Sequence, residues 1–316
     1  MGSRVTPERE TADSRIRLRK VGMFLVLAFG IAWTGALVLT LTGIELGSLA
    51  GLVLLTVVFM WAPAIAAIIV QLRHSESIRK GCGLRLGRPR WVGLAWLTPV
   101  VLVGATIGIG SLLPGVTFTT DYGAYLLELG LTQEQADEAV AQLDGLPVPP
   151  AVLFVGQGLI AGLTINALAA LGEELGWRGL LLTELAPLGF WKVSILTGAL
   201  WGIWHAPIIL QGHNFPDAPL AGILMMTVAT IAMAPIYTYL TVRARSVLAA
   251  TFLHGSFNGL GALSLVYLIG AGNLLISPVG VAGIGAALLV TAICVLHDRT
   301  IADEPITTGQ PLSPWS

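Results

Sequence analysis

The chain alternates long apolar runs with short polar breaks from Val21 almost to its end. A run of about 20 apolar residues matches the thickness of a bilayer's hydrocarbon core when it is helical. Eight such runs can be marked out: Val21 to Leu41, Gly47 to Gln71, Trp91 to Leu113, Pro150 toward Arg178, Trp191 to Leu210, Leu220 to Leu240, Val247 to Ile269, and Leu274 to Leu296. The first is too long for a signal-peptide core and has no small-residue cleavage site, so it is expected to remain as a span. Pro149 and Pro150 open the fourth, where proline suits the first helical position; this helix is expected to continue or bend into Leu180–Leu185. Pro235 interrupts the sixth.

One polar segment is longer than a turn. Residues 114–149 carry Asp121, Glu128, Glu134, Asp137, Glu138 and Asp144 and no Lys or Arg. Thr132 and Gln135 have the spacing of a capping box. Ala136, Ala139, Val140 and Leu143 follow at helical intervals, which predicts a short amphipathic helix outside the membrane core. The expected fold is therefore all-α: a polytopic bundle of about eight transmembrane helices. Residues 21–297 form one membrane domain between a basic tail (1–20) and a polar tail (298–316), and no internal repeat is visible.

Composition agrees and charge orients the bundle. Hydrophobic residues make up 55% and charged residues only 11%, against about 25% charged in soluble domains; mean hydropathy is +0.81. The net charge of −1 gives no reason to expect a nucleic-acid partner. Lys and Arg lie in both tails and in the loops after the second, fourth and sixth runs, with Arg178 at an inner helix end; the intervening loops have none. The positive-inside rule then places both termini in the cytoplasm and Asp121–Asp144 outside, in what is expected to be the plasma (inner) membrane. Cys82 and Cys294 have no metal-knuckle spacing and lie toward the reducing side, so both are expected to be free thiols.

Against this apolar background the charged stretch Gly172-Glu173-Glu174-Leu175-Gly176-Trp177-Arg178 stands out. A charge within a span costs roughly 2.5–3.5 kcal/mol on the insertion scale, which makes it a functional candidate. Glu174 and Arg178 are spaced i,i+4 in the favourable order. Glu173 lies about 100° away round the helix and has no cation at i+3 or i+4, so it is free to act as a base. The competing reading is a structural ion pair at a helix end. Gly172 and Gly176 allow close helix packing or a kink. His205 sits in the fifth run, and His254 and Asn258 share a face of the seventh. At 1.5 Å per residue His254 lies roughly 10–12 Å and His205 roughly 20 Å from the inner helix starts; these depths suggest the cytoplasmic half. His74, His213 and His297 read as interfacial or solvent positions. Tryptophans near helix ends, among Trp91, Trp96, Trp191 and Trp201, read as belt residues.

Three motifs carry a resemblance. Glu173–Arg178 fits EExxxR, Trp201–His205 fits FxxxH with Trp in place of Phe, and His254–Asn258 fits HxxxN. In this order the chain resembles the CPBP intramembrane proteases, which include the type II CAAX prenyl endopeptidases and bacteriocin-immunity proteins. The motifs cover about residues 150–262. The resemblance implies an eight-helix fold and an endopeptidase active site open to the cytoplasm and the membrane, made of Glu173, Glu174, Arg178, His205, His254 and Asn258. Its substrate would be a membrane-associated or prenylated CAAX-type peptide or protein.

The residues suit that chemistry. Glu173 would activate a water, His205 would orient it, and His254 and Asn258 would donate to the oxyanion, while Arg178 holds Glu174. The family is often classed as metalloprotease, and Glu173, His205 and His254 would be the Zn²⁺ ligands if the mechanism is zinc-dependent. A cofactor-free mechanism is preferred here because Asn is a poor zinc ligand and HExxH is absent. Two other classes stay open: a proton-coupled transporter, though matched inverted repeats are not seen, and a non-catalytic immunity or scaffold protein.

Overall fold

The computed structural model describes residues 16–316; the start of the basic tail, residues 1–15, lies outside the described residues. Among the described residues nine helices build the bundle: α1 (Leu18–Thr42), α2 (Leu49–Arg73), α3 (Pro89–Gly110), α4 (Pro150–Leu163), α5 (Ile165–Leu188), α6 (Phe190–Trp204), α7 (Pro219–Ala244), α8 (Val247–Leu260) and α9 (Val281–Thr300). Among the described residues, five helices are long and apolar enough to cross a membrane, or six when the bent α4–α5 pair counts as one span. The protein is thus a multi-pass, all-α integral membrane protein. The expected fifth and seventh spans differ from expectation: α6 has 15 residues and α8 has 14. Large apolar side chains such as Val26, Leu41, Ile160, Leu224 and Leu288 stay exposed round the bundle, where lipid replaces water as their solvent.

Helix α8 occupies the centre, packed against α3, α4 and α5, while α7 joins α6 to α9. Glycines set these distances. A Cβ on Gly158 or Gly162 of α4 would meet α8 at 2.5 Å and 2.2 Å, and one on Gly255 or Gly259 of α8 would strike the α4 carbonyls of Gly162 and Gly158 at 2.7 Å and 2.5 Å. This is the small-residue packing by which helices approach without a hydrophobic drive between them. Gly172 and Gly176 serve the same end on α5: a Cβ there would lie 2.7 Å from the Met60 carbonyl and 2.5 Å from Pro63 on α2.

The fourth expected helix is not continuous. It bends by 51° between α4 and α5, with Thr164 at φ −120°, ψ −104°. The Thr164 hydroxyl donates back to the Ile160 carbonyl at 2.8 Å, and the Asn166 amide crosses to the Gly255 carbonyl at 3.2 Å. Beyond Glu174 the helix widens into a π-turn over Leu175–Leu181, and α2 contains a second over Leu55–Phe59. Such turns often mark functional sites. Pro235 does not interrupt α7, which runs through it to Ala244. The expected seventh helix ends at Leu260, and Leu268–Ile269 instead pairs antiparallel with Thr117–Phe118. Residues 133–144 form the expected amphipathic helix with its capping box, preceded by a further short helix, Tyr122–Glu128.

The two ends of the bundle differ. At one end Arg17 pairs with Glu76 and Glu184, and the buried Lys20 ammonium lies 2.6 Å from Glu76 and 2.8 Å from Glu184. Arg243 pairs with Asp298, whose carboxylate also accepts the backbone N–H groups of Ile306 and Thr307. The tail after α9 folds back over this end: the Trp315 indole donates to the Thr183 hydroxyl at 2.9 Å, Leu312 N–H donates to the Ala186 carbonyl at 2.9 Å, and Arg85 donates to the Trp315 carbonyl. Cys82 is buried here as a free thiol, pushed up to about 12 by its burial. The opposite end gathers the strand pair, the acidic segment and the loops around Asn214 and Asn273, whose side-chain amide donates to the Asn214 carbonyl at 2.8 Å.

Candidate active site

Glu173 and Glu174 end the regular part of α5, 2% and 0% exposed. Consecutive helical residues face different ways, and here they face different surroundings. Glu174 points into protein: Arg178 Nη1 donates to both its oxygens at 3.1 Å, and His254 Nδ1 lies 2.8 Å from Oε1. Glu173 lines a cavity and accepts one hydrogen bond, from the Trp201 indole N–H to Oε2 at 2.7 Å. The expected Glu174–Arg178 pair is therefore present, and Glu173 forms no ion pair with Arg178, the cation of its own helix.

Arg178 is 1% exposed, and its Nε and Nη2 have no hydrogen-bond partner among the described residues. Aromatic faces stand in for one. The guanidinium lies between the rings of Trp201 at 4.4 Å and Tyr237 at 4.3 Å, a cation–π bracket from two further helices. Trp201 is thus no belt residue. It is 4% exposed and touches both the ion pair and Glu173. Sequence reading passed over this role because Phe-for-Trp compares rings and ignores the indole N–H.

The two histidines are oriented through Nδ1. His205 closes α6, and its Nδ1 lies 2.7 Å from the Trp201 carbonyl, one turn back. A carbonyl only accepts, so Nδ1 carries the proton and Nε2 keeps its lone pair. Trp204 packs edge-on against this ring at 4.9 Å and Phe59 lies behind it at 6.5 Å. His254 Nδ1 is taken by Glu174. Its Nε2 is therefore a donor only when the ring carries both protons, which narrows the expected role of His254 at an oxyanion. Asn258, one turn on, lines the cavity with its amide exposed, and it can donate in any state.

Glu173, Trp201, His205, His254 and Asn258 all line one cavity of about 410 Å³. Its other walls are mostly apolar, with Leu55, Phe59, Ile208, Met226, Leu265 and Val279. His213, read from sequence as interfacial, also lines it; no sequence signal relates this loop position to the motifs. His74 is exposed at the end of α2, and His297 takes a hydrogen bond with the Tyr239 hydroxyl at 2.7 Å, far along the chain from the site.

Among the described residues, no three His, Cys, Asp or Glu side chains converge as a metal-binding group. The contacts among the described residues leave one Glu173 oxygen and Nε2 of both His205 and His254 without a partner, so these three are the residues that would hold a Zn²⁺ ion if one were bound. No step below passes through a metal.

Residues 155–260 match the family model described as type II CAAX prenyl endopeptidase Rce1-like, and this span contains all six candidate residues. The chain is also 43% identical over 49 residues to a CAAX prenyl protease 2 of Methanococcus maripaludis. That stretch is 15% of this chain and 18% of the relative, so the chain covers less than a fifth of that relative's length. The resemblance carried by the three motifs is supported over the helices that build the site.

Proposed function

We propose that the protein is an intramembrane endopeptidase of the plasma membrane that hydrolyses a peptide bond in a membrane-associated substrate, of the CAAX-processing kind or a relative of it. The observation that carries this is the division of labour between adjacent acids. Glu174 is neutralised by Arg178, while Glu173 faces a cavity with one oxygen tethered and the other free. The alternatives of transporter and non-catalytic scaffold gain no support from the matched family.

In this reading Glu173 takes a proton from a water, while His205 Nε2 accepts a hydrogen bond from the water's remaining O–H. The water oxygen attacks the peptide carbonyl carbon, and the carbonyl π electrons move to oxygen. Asn258 Nδ2–H donates to that oxyanion, joined by His254 Nε2–H when the ring is doubly protonated. The oxyanion then collapses, the C–N bond breaks, and Glu173 passes its proton to the departing amine. A carboxylic acid and an amine result, and the acid's proton passes by way of His205 Nε2 to the amine, leaving a carboxylate and an ammonium group. The chain's own groups account for every proton, and turnover is expected to survive exhaustive chelation.

Glu173→Gln tests this. The amide keeps an oxygen for the Trp201 N–H and removes the base. Turnover of a membrane-tethered peptide should fall by at least about 10²-fold, with the melting temperature in detergent retained. Near-normal turnover in a folded variant would show that Glu173 is not the base.

A further inference from the structure

The resemblance places the mouth of the site on the cytoplasmic side, but the walls of this cavity point elsewhere. Every wall beyond the catalytic cluster belongs to the charge-poor end. Asn214, Asn273, Ser277, Pro278 and Val279 line the cavity, and they lie in the loops before α7 and before α9. Helix arithmetic agrees. At 1.5 Å per residue, Thr230 and Met226 stand roughly 21 Å and 27 Å from the basic end of α7, and Leu55 stands roughly 27 Å from that of α2.

The route from the basic end is closed. Residues 172–182 and 232–244 are buried without a break, which inserts Arg178, Trp177, Tyr237 and the π-turn between the site and that end. Behind them lie the Lys20–Glu184 pair and the folded-back tail with Trp315. In contrast Asn214, Asn258 and Ala262 are exposed on the other side of the cluster.

We infer that the site takes its substrate from the extracytoplasmic face: a peptide segment anchored in or lying on the outer leaflet, with apolar residues beside the scissile bond. The face follows from charge, because all the basic loops lie at the opposite end and the segment 114–149 beside the mouth has no Lys or Arg, as the positive-inside rule requires of an outer face. The apolar character follows from Leu55, Phe59, Met226 and Val279 in the walls. The inference rests on the peptidase reading for the substrate's fate, whereas the side of access stands without it.

The experiment uses the full chain carrying Ala262→Cys or Asn273→Cys at the mouth, or Arg79→Cys at the basic end. A bulky membrane-impermeant maleimide is applied to intact cells and to inside-out vesicles, and the parent chain with Cys82 and Cys294 gives the background. Both mouth variants should label in intact cells and Arg79→Cys only in inside-out vesicles. Each labelled protein is then purified and assayed on a quenched apolar peptide. Modification at the mouth should cut turnover at least tenfold, and modification at Arg79→Cys should leave it unchanged. Mouth labelling confined to inside-out vesicles, or a block produced from the basic end, would overturn the inference. A chain without any peptidase activity that still shows the expected labelling would sink only the peptidase reading.

Discussion

Replacing Glu174 by Gln separates its charge from its shape. The substitution leaves Arg178 buried with no anion, its Nε and Nη2 already lacking partners among the described residues. Removing one member of a buried pair costs about 3–5 kcal/mol, because the other charge is left uncompensated. The Gln oxygen can still accept from Arg178 or His254, so the lower end of that range is expected. At roughly 2 °C per kcal/mol for a chain of this size, the melting temperature should fall by about 6 °C. Adding Arg178→Met removes the stranded cation but also its contacts with Trp201 and Tyr237. Those are worth about 0.5–2 kcal/mol each, partly restored by the thioether against the same rings. The double variant should therefore recover about half of the loss and not all of it. Differential scanning fluorimetry of all variants in one detergent gives the ordering: parent highest, double variant next, single variants lowest. A double variant no more stable than Glu174→Gln would refute the reasoning, since Arg178 would then not be a charge that needs Glu174.

Two further outcomes follow from contacts named above. Trp201→Phe keeps an aromatic face over Arg178 and removes the N–H that holds Glu173; a lost hydrogen bond to a charged group of about 1.5 kcal/mol should lower kcat roughly tenfold, with KM little changed in the tethered-peptide assay. At the basic end, burial works against the Glu76 charge, but its hydrogen bonds and charge pairing with Lys20 and Arg17 outweigh that and hold the carboxyl below its ordinary value. A depressed carboxyl stabilises the fold above the unfolded-state value and loses that contribution as pH falls through the folded one, so the melting temperature should be level above about pH 5 and decline below about pH 4. Glu76→Gln should flatten part of that decline, and an unchanged slope would assign it to other groups.

What the sequence made legible is what an apolar background makes conspicuous. Glu173, Glu174, Arg178, His205, His254 and Asn258 stand out because charge and amide are costly inside spans, and the structure gathers them round one ion pair and one cavity. The i,i+4 rule paired Glu174 with Arg178 because that contact is local. The contacts it could not reach come from other helices: the Trp201 N–H on Glu173, the Tyr237 face on Arg178, and the Glu174 carboxylate on His254. The bend at Thr164 carries no proline or glycine and is held by Asn166 on the Gly255 carbonyl, again a partner far along the chain. The end of α8 was hidden for another reason. Ala262–Ile269 is as apolar as the helix before it, and an apolar run does not show that a separate short helix, Leu263–Tyr267, and the two-residue strand Leu268–Ile269 replace a continuous helix. The direction of the mouth depends on which loops surround the cavity, which hydropathy does not encode.

One side chain ties these features together. The Trp201 ring lies against Arg178, its N–H is fixed on Glu173, and its carbonyl fixes the tautomer of His205. The ion pair thus orients the base without touching it. Catalysis by positioned dipoles requires groups that do not reorganise when charge moves, and a ring held between a guanidinium and a helix backbone meets that requirement. The same arrangement explains why the site is asymmetric. Its charges are balanced on the side packed toward the basic end, where the burial is continuous and the helices are bound by ion pairs. The groups left with unused hydrogen-bonding capacity, the second Glu173 oxygen, His205 Nε2 and the Asn258 amide, all face the open side. A rigid charged floor with unsatisfied groups above it is what a peptide bond entering from that side would need to meet.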